Sequence, residues 1–473
     1  MTALWTRAEA VMATGGESTA DWQASGVSID TRELAPGDLF VALKDQRDGH
    51  DFVARAFEKG AAAALVSRVP DGVPPDAPLL LVPDVPVALE SLGTVARMRT
   101  GASVVGVTGS VGKTGTKDML RTALAPQGRV HAAVRSFNNH LGVPLTLARM
   151  PADVDFAIIE IGMNHPGEIA PLSRLVQPDV AIITAVAAVH TGAFGNIDAI
   201  AREKASILDG LRPGGSAVLN GDIETAAILR ETLGGRPALW FGEGAHDIRL
   251  LSARITPAGT AIEAALKGRT LRFRLGAQGR HLAMNALAVL GTVAQLGADV
   301  APAVPPLARW IAPPGRGRRH RVVLSDMPGD AIELIDESYN ANPTSMAAAF
   351  SVLGASAPGR PGGSRVAFLG DMLELGPDER GSHAGLAEVP EMEAIDTVHT
   401  AGPRMAALHD VLPDCRRGCH FQDAAAMAAA VKRVLDSGDV AMVKGSLGSR
   451  VGQVVTAIRR LGQHKGRGTC SIF

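Results

Sequence analysis

The chain has 473 residues, 46% hydrophobic and 20% charged, which is enough apolar material for packed cores and about three domains. A net charge of −1 argues against a general nucleic-acid binder. Residues 1–10 lack a basic-then-apolar leader and no apolar run approaches about 18 residues, so neither a secretory signal nor membrane insertion is expected.

Residues 1 to about 100 read as a first unit. Short strands or buried segments are expected at 28–31 (SIDT), 39–43 (LFVAL), 61–67 (AAAALVS) and 79–82 (LLLV), with a helix over 52–59. A Pro-rich loop over 70–86 surrounds the last strand. Asp30, Thr31 and Arg32 lie beside a strand and could hold a phosphate or a uridine, although each alone reads more simply as surface chemistry.

The second unit, 101–312, opens with VVGVTGSVGKTGT at 104–116. Val104, Val105 and Val107 form a β-branched run, Gly109 and Gly112 permit a tight turn, and good helix formers follow. Strand, Gly-rich turn, Lys-Thr and helix make a phosphate cradle, although Val107 stands where the strict pattern has Gly. Gly109, Ser110, Val111 and Gly112 would offer backbone amides, Lys113 would reach the terminal phosphates, and the Thr114 hydroxyl could hold Mg²⁺. Further strands end in polar residues: FAII at Glu160, VAII at Thr184 with His190 six residues on, and 217–219 at Asn220. Helices at 168–176, 197–210, 224–233 and 281–296 alternate with them, and the last carries Asn285. This alternation predicts a parallel sheet covered on both faces, with ligands at the carboxyl ends of its strands. Glu160 suits a Mg²⁺ carboxylate and His190 falls on the same side. Lys204, within a helical stretch, reads from the residues alone as a solvated lysine.

Residues 311–319 (IAPPGRGRR) form the clearest linker, because Pro-Pro-Gly breaks both helical and strand periods. Its arginines suit a hinge that touches nucleotide phosphate better than a nucleic-acid patch. The third unit, 313–473, has strands at 331–335, 365–369 and 440–443 that deliver Asp336, Gly370-Asp371 and Lys444-Gly445-Ser446. Helices at 343–353, 404–412, 422–435 and 451–461 complete a Rossmann-like α/β domain. The three cysteines, Cys415, Cys419 and Cys470, are too few for a disulfide framework and point to a reducing compartment. Cys415, Cys419 and His420 lack a second ligand cluster, so no zinc site is expected. The residues by themselves lead to an ATP-using α/β enzyme of three domains, with kinase, ligase and motor ATPase open. A motor needs neither flanking domain.

With these motifs in order, the chain resembles the Mur ligases over essentially its whole length. Residues 28–32, 36–43 (PGDLFVAL) and 48–52 (DGHDF) resemble the family's N-terminal UDP-sugar domain, and TGSVGKT at 108–114 its phosphate loop. FNNHLGVPL at 137–145 is similar to the substrate stretch that follows, carrying Asn138 and Asn139. DESYNANP at 336–343, GDMLELG at 370–376, His383 and Lys444-Gly445-Ser446 are similar to the branch that adds a dipeptide. The resemblance implies a small N-terminal α/β UDP-substrate domain, a central P-loop ATPase-type domain and a C-terminal Rossmann-like domain. It implies ATP and two Mg²⁺ ions, with metal positions at Thr114, Glu160, His190 and a carbamylated Lys204. Asn285 would contact adenine, Arg316 would be the hinge arginine, and Asp336 would hold the ribose. The implied substrates are UDP-MurNAc-tripeptide and D-Ala-D-Ala, the latter read by Tyr339, Asn340 and Asn342. Asn342 could instead simply cap the following helix. A cytoplasmic monomer using an acyl-phosphate intermediate is expected. Another Mur ligase or a folylpolyglutamate synthase-like ligase would share the central domain.

Overall fold

The β-branched run around Val104 becomes the strand Ser103–Thr108, at the heart of the largest sheet. The structure is a computed structural model that describes residues 3–44, 46–187 and 191–462. Val105 and Val107 enter the core on one face with Met119, Leu120 and Leu287, while Val104 packs on the other with Val143, Ile159 and Ile207. Burial on both faces is why this strand and its neighbours read as continuous apolar runs rather than alternating ones.

Among the described residues the large sheet has nine strands. Its parallel part runs Val130–Ala132, Phe156–Glu160, Ser103–Thr108, Val180–Ile183, Ser216–Asn220, Ala238–Gly242, Ile248–Thr256. The chain passes from Phe156–Glu160 on one side of Ser103–Thr108 to Val180–Ile183 on the other. That reversal opens a crevice at the strand ends, where the phosphate loop, Glu160 and Thr184 emerge. The sheet continues antiparallel through Gly259–Leu266 and Arg269–Leu275, an extension that the sequence reading did not foresee. Arg269–Leu275 alternates exposed and covered residues, so it lacks the apolar run that marks the central strands.

A second sheet has the order Arg318–Val323, Ala331–Glu337, Val440–Lys444, Arg365–Gly370, Thr397–Ala401, Arg417–Phe421; only the first pair is antiparallel. Arg318 and Arg319 therefore belong to a strand rather than a hinge. Arg319 pairs with Glu333 at 2.5 Å, on the neighbouring strand. A third, smaller sheet, Gly26–Ser28 to Glu17–Ser18, forms the N-terminal layer.

The N-terminal layer is fixed to the middle one by the helix Val85–Arg99, which packs along Gly142–Ala148. This helix follows directly on the Pro-rich stretch and was not expected. Pro86 sits in its first turn, where a missing N–H costs nothing, so Pro marks the start of a helix here and not the continuation of a loop. Leu145 and Ala148 complete the apolar cluster of Trp5, Leu65, Leu80 and Leu89. Trp5 Nε1 donates to the Ala148 carbonyl at 2.8 Å. Arg97, 5% exposed, donates to the carbonyls of Val176 and Gln177 at 2.8 Å each, where the helix Ile169–Val176 ends. A guanidinium there satisfies end carbonyls and meets the negative end of the helix dipole. Arg97→Ala should therefore cost about 2–4 kcal/mol through the lost charge-assisted bonds and the orphaned carbonyls. Differential scanning fluorimetry should show a melting temperature lower by several degrees; an unchanged value would remove Arg97 from the forces joining these layers.

Candidate active site

The loop after Ser103–Thr108 is shaped by two close approaches. A Cβ on Gly109 would lie 2.0 Å from Thr184 Oγ1. Gly112 has φ +87° and precedes the helix Lys113–Leu124, and a Cβ there would meet the Asn285 amide at 2.9 Å. Glycine is thus what lets Thr184 and Asn285 touch the loop. Thr184 Oγ1 donates to the Val111 carbonyl at 2.6 Å, and Asn220 Nδ2 ties down the Thr184 carbonyl at 2.9 Å. Lys113 Nζ donates to the Gly109 carbonyl at 2.6 Å. Burial lowers the Lys113 pKa, Glu160 opposes that shift, and Arg316 adds to it.

Glu160 is delivered by its strand, beside Val107 in register. Its Oε1 accepts from Thr114 Oγ1 at 3.1 Å and from Asn138 Nδ2 at 2.8 Å. Its Oε2 is buried and, among the described residues, accepts no hydrogen bond apart from an ion-pair approach of Lys117 Nζ at 3.3 Å. A buried carboxylate oxygen with free lone pairs, next to a threonine hydroxyl, is a donor set that fits Mg²⁺. Ser136 then links this group onward: its hydroxyl lies 2.9 Å from Thr114 Oγ1 and accepts from Arg316 Nη2 at 3.2 Å.

A cavity of about 700 Å³ lies between the middle sheet and the C-terminal one. From the middle side Ser110, Val111, Gly112, Lys113 and Thr114 line it, with Asn138, Asn139, Glu160 and Asn285. From the other side come Arg316, Tyr339, Asn340 and Asn342. The Arg316 guanidinium sits 4.1 Å over the Tyr339 ring, a cation–π contact that holds both at the mouth between the two layers. Asn342 caps the helix Pro343–Gly354, its side chain accepting from the Ser345 N–H at 2.9 Å in a capping box. The capping alternative therefore describes its side-chain oxygen, while the residue still lines the cavity.

Other expected residues lie elsewhere. Asp336 is not part of the cavity wall: its Oδ2 accepts from the Gly315 N–H at 3.0 Å and its Oδ1 from Ser338 Oγ at 2.6 Å, so the carboxylate organises the hinge. Asp30, Thr31 and Arg32 are also outside that wall. Arg32 pairs with Asp30, and Lys59 Nζ donates to the Thr31 carbonyl at 2.6 Å. The adjoining Glu33 forms an ion pair with Arg135, at the edge of the segment carrying Ser136 and Asn138. Lys204 is 2% exposed, which corrects the expectation of a solvated lysine. The helix Ile197–Ala205 turns it into the core behind Met163, whose Sδ lies 3.7 Å from Nζ. Burial first, and Lys113 second, hold its pKa well below the ordinary lysine range. His190 lies outside the described residues. Cys415 and Cys419 are exposed and free, and no cluster of three metal-ligating side chains occurs among the described residues.

Sequence reasoning passed over Ser136, Lys117 and His281. The i, i+4 spacing of Lys113 and Lys117 on one helix was the available signal for the second. His281, at the cavity wall beside Asn285, is half-buried, and desolvation lowers its pKa; Glu337 opposes this and Lys444 adds to it. Lys444 is itself buried, 3.3 Å from Glu337 Oε2, and donates to the Asn340 carbonyl at 3.0 Å.

Three family models match in chain order: "Mur ligase family, catalytic domain" over residues 23–98, "Mur ligase middle domain" over 107–293, and "Mur ligase, glutamate ligase domain" over 318–447. The UDP-N-acetylmuramoyl-tripeptide–D-alanyl-D-alanine ligase of Escherichia coli (strain K12) is 35% identical over 448 residues, covering 94% of this chain and 95% of the relative. A crystal structure of MurF from Acinetobacter baumannii matches with a TM-score of 0.82 at 28% identity, covering 96% of this chain and 99% of that one. MurF ligase from Thermotoga maritima, solved in complex with ADP, matches with a TM-score of 0.76 at 26% identity, covering 93% and 98%. With the phosphate loop, the buried Glu160 and three matching domains in order, this chain belongs to the Mur ligase family.

Proposed function

We propose that this chain is the ATP-dependent ligase that joins D-alanyl-D-alanine to UDP-N-acetylmuramoyl-tripeptide, forming the pentapeptide precursor of peptidoglycan. The observation that carries this reading is one cavity whose wall holds the phosphate loop and Glu160 on one side and Tyr339 and Asn340 on the other. A nucleotide and an amino acceptor can share such a space. We divide the chain near residues 100 and 312, giving the UDP end of the substrate to the first unit with Asp30, Thr31 and Arg32. Asn139 would join Asn138 beside the peptide. A nucleotide-linked substrate and ATP suit a cytoplasmic enzyme, and a cavity lined by this chain suits a monomer.

In this reading Lys113 and the amides of residues 109–114 grip the β- and γ-phosphates, with Asn285 on the adenine side. The terminal carboxylate of the tripeptide attacks the γ-phosphorus, forming an O–P bond and releasing ADP. The amine of D-Ala-D-Ala then attacks the acyl carbon, a C–N bond forms, the C–O bond to phosphate breaks, and the nitrogen loses its proton. Glu160 and Thr114 would hold Mg²⁺, which when bound would neutralise charge on the phosphoryl oxygens. We assign a second ion to His190 and a carbamylated Lys204. A carbamate needs a neutral amine, and the buried Lys204, whose amine lies against the Met163 thioether, is a suitable host. Thr344 and Ser345 bring the amino end of the helix Pro343–Gly354 to the cavity, where its dipole favours the dipeptide carboxylate.

Phosphate release measured with UDP-MurNAc-tripeptide should be fast with D-Ala-D-Ala and weak with D-Ala, L-Ala or meso-diaminopimelate, since a site built for polar groups rejects ligands that leave them unpaired. Efficient use of a single amino acid, with the dipeptide inert, would assign another branch of the family. Lys113→Ala should lower turnover by about a hundredfold or more while leaving the melting temperature near wild type; near-normal turnover would end the phosphate-loop assignment. Lys204→Ala should be nearly inactive and regain part of its activity with added short-chain carboxylic acids. A free amine in a nucleotide-bound crystal at neutral pH would contradict the carbamate. Asn340→Ala should raise KM for the dipeptide far more than KM for ATP, whereas Asn342→Ala should also cost about 1 kcal/mol of stability through the lost cap. Steady-state kinetics and thermal melts separate the two, and equal changes in both KM values for Asn340→Ala would remove it from the acceptor site.

A further inference from the structure

Lys117 stands one helical turn after Lys113, so both lysines share a helix face. A lysine four residues into a helix ordinarily reaches solvent. Here its side chain is 3% exposed and that of its partner Glu160 is 1% exposed. The ammonium makes two contacts. It lies 3.3 Å from Glu160 Oε2, and it donates to the Arg135 carbonyl at 2.8 Å. Thr114 and Asn138 both bond Oε1, so Lys117 faces the one carboxylate oxygen whose lone pairs are otherwise free among the described residues. The Arg135 carbonyl begins the segment that carries Ser136 and Asn138, and the Arg135 side chain pairs with Glu33 of the N-terminal layer.

We propose that Lys117 is a positioning residue, a resident cation that stands in for the divalent ion at Glu160 and holds the 135–138 segment against the carboxylate. The proposal rests on the reading of Glu160 as a Mg²⁺ ligand. A buried carboxylate without a counter-charge strongly destabilises a fold. Lys117 supplies that charge without occupying the cavity, because its amine approaches from the helix side and is anchored by a backbone carbonyl. The same charge repels an arriving divalent ion, so Lys117 keeps the site assembled while making metal binding weaker and reversible. Linkage fixes the sign: a cation that stabilises the metal-free carboxylate and repels the arriving ion stabilises the metal-free site more than the metal-bound one, so it lowers metal affinity and its removal raises it.

The test is a set of thermal melts on the full chain with Lys117→Met, Glu160→Gln and the two combined, in EDTA and across a MgCl₂ titration at fixed ADP. In EDTA, Lys117→Met should lose several degrees of melting temperature, and most of that loss should vanish in the Glu160→Gln background. The MgCl₂ concentration giving half of the Mg²⁺-dependent stabilisation should fall about tenfold in Lys117→Met, the size expected for a monovalent and a divalent cation a few ångströms apart in a solvated site. A variant that folds only with Mg²⁺, or only when combined with Glu160→Gln, also supports the proposal. An equal loss in the Glu160→Gln background, failure of both variants to fold in every condition, or an unchanged Mg²⁺ midpoint would overturn it. A wild-type melt that ignores Mg²⁺ would instead overturn the metal reading of Glu160 and take the stand-in role with it.

Discussion

The buried carboxylate of Glu160 is the constraint around which this molecule is arranged. An ionised group so deep is tolerated only when its surroundings replace water. Thr114, Asn138 and Lys117 do so, two from one helix and one from a separate segment. Thr114 comes from the start of the helix after the phosphate loop, Lys117 from one turn further, and Asn138 from the segment crossing above. The strand Phe156–Glu160 must lie beside Ser103–Thr108 for these groups to meet, and the parallel register of those two strands achieves it. The fold of the middle layer and the chemistry of the site are in this sense one requirement.

The C-terminal layer meets that centre through a narrow connection. The Asp336 carboxylate holds the Gly315 N–H and the Ser338 hydroxyl, which fixes the path of the chain on both sides of Arg316. Arg316 then spans the gap, reaching Ser136 with one nitrogen and covering the Tyr339 ring with its face. Through Ser136 and Thr114 this arginine is hydrogen-bonded onward to Glu160. Lys444 restrains the other edge of the same loop at the Asn340 carbonyl. The loop carrying Tyr339 and Asn340 is thereby positioned relative to the phosphate loop by polar contacts. The N-terminal layer differs: it shares an apolar cluster with Leu145 and Ala148 and is fixed by the buried Arg97.

The parts legible in the sequence were those where one local pattern had one structural meaning. The Val104–Val107 run, the glycines after it and the helix formers beyond them gave the phosphate loop directly, and apolar runs ending in Glu160, Thr184 and Asn220 gave the crevice side of the sheet. Charged residues were less legible, because spacing does not reveal which face of a helix is covered. Lys117 and Lys204 look like solvated lysines, yet both are buried, and only the packing of their helices decides that. Asp336 was placed at the right strand end, and there its carboxylate accepts from the Gly315 N–H. The helix Val85–Arg99 was hidden by the prolines before it, and the strands Gly259–Leu266 and Arg269–Leu275 by the half-exposed alternation of an outer hairpin. The resemblance to Mur ligases supplied what no local pattern could, the identity of the acceptor.

The central claim is that the Glu160-centred site transfers the γ-phosphoryl group of ATP to a peptide carboxylate before the amide bond forms. The most direct measurement uses UDP-MurNAc-tripeptide with ¹⁸O in the carboxylate that becomes the amide, followed by mass analysis of the phosphate released with D-Ala-D-Ala. An acyl-phosphate intermediate predicts one ¹⁸O carried from the carboxylate into each phosphate formed. Phosphate free of the label, produced together with the pentapeptide, would contradict the account.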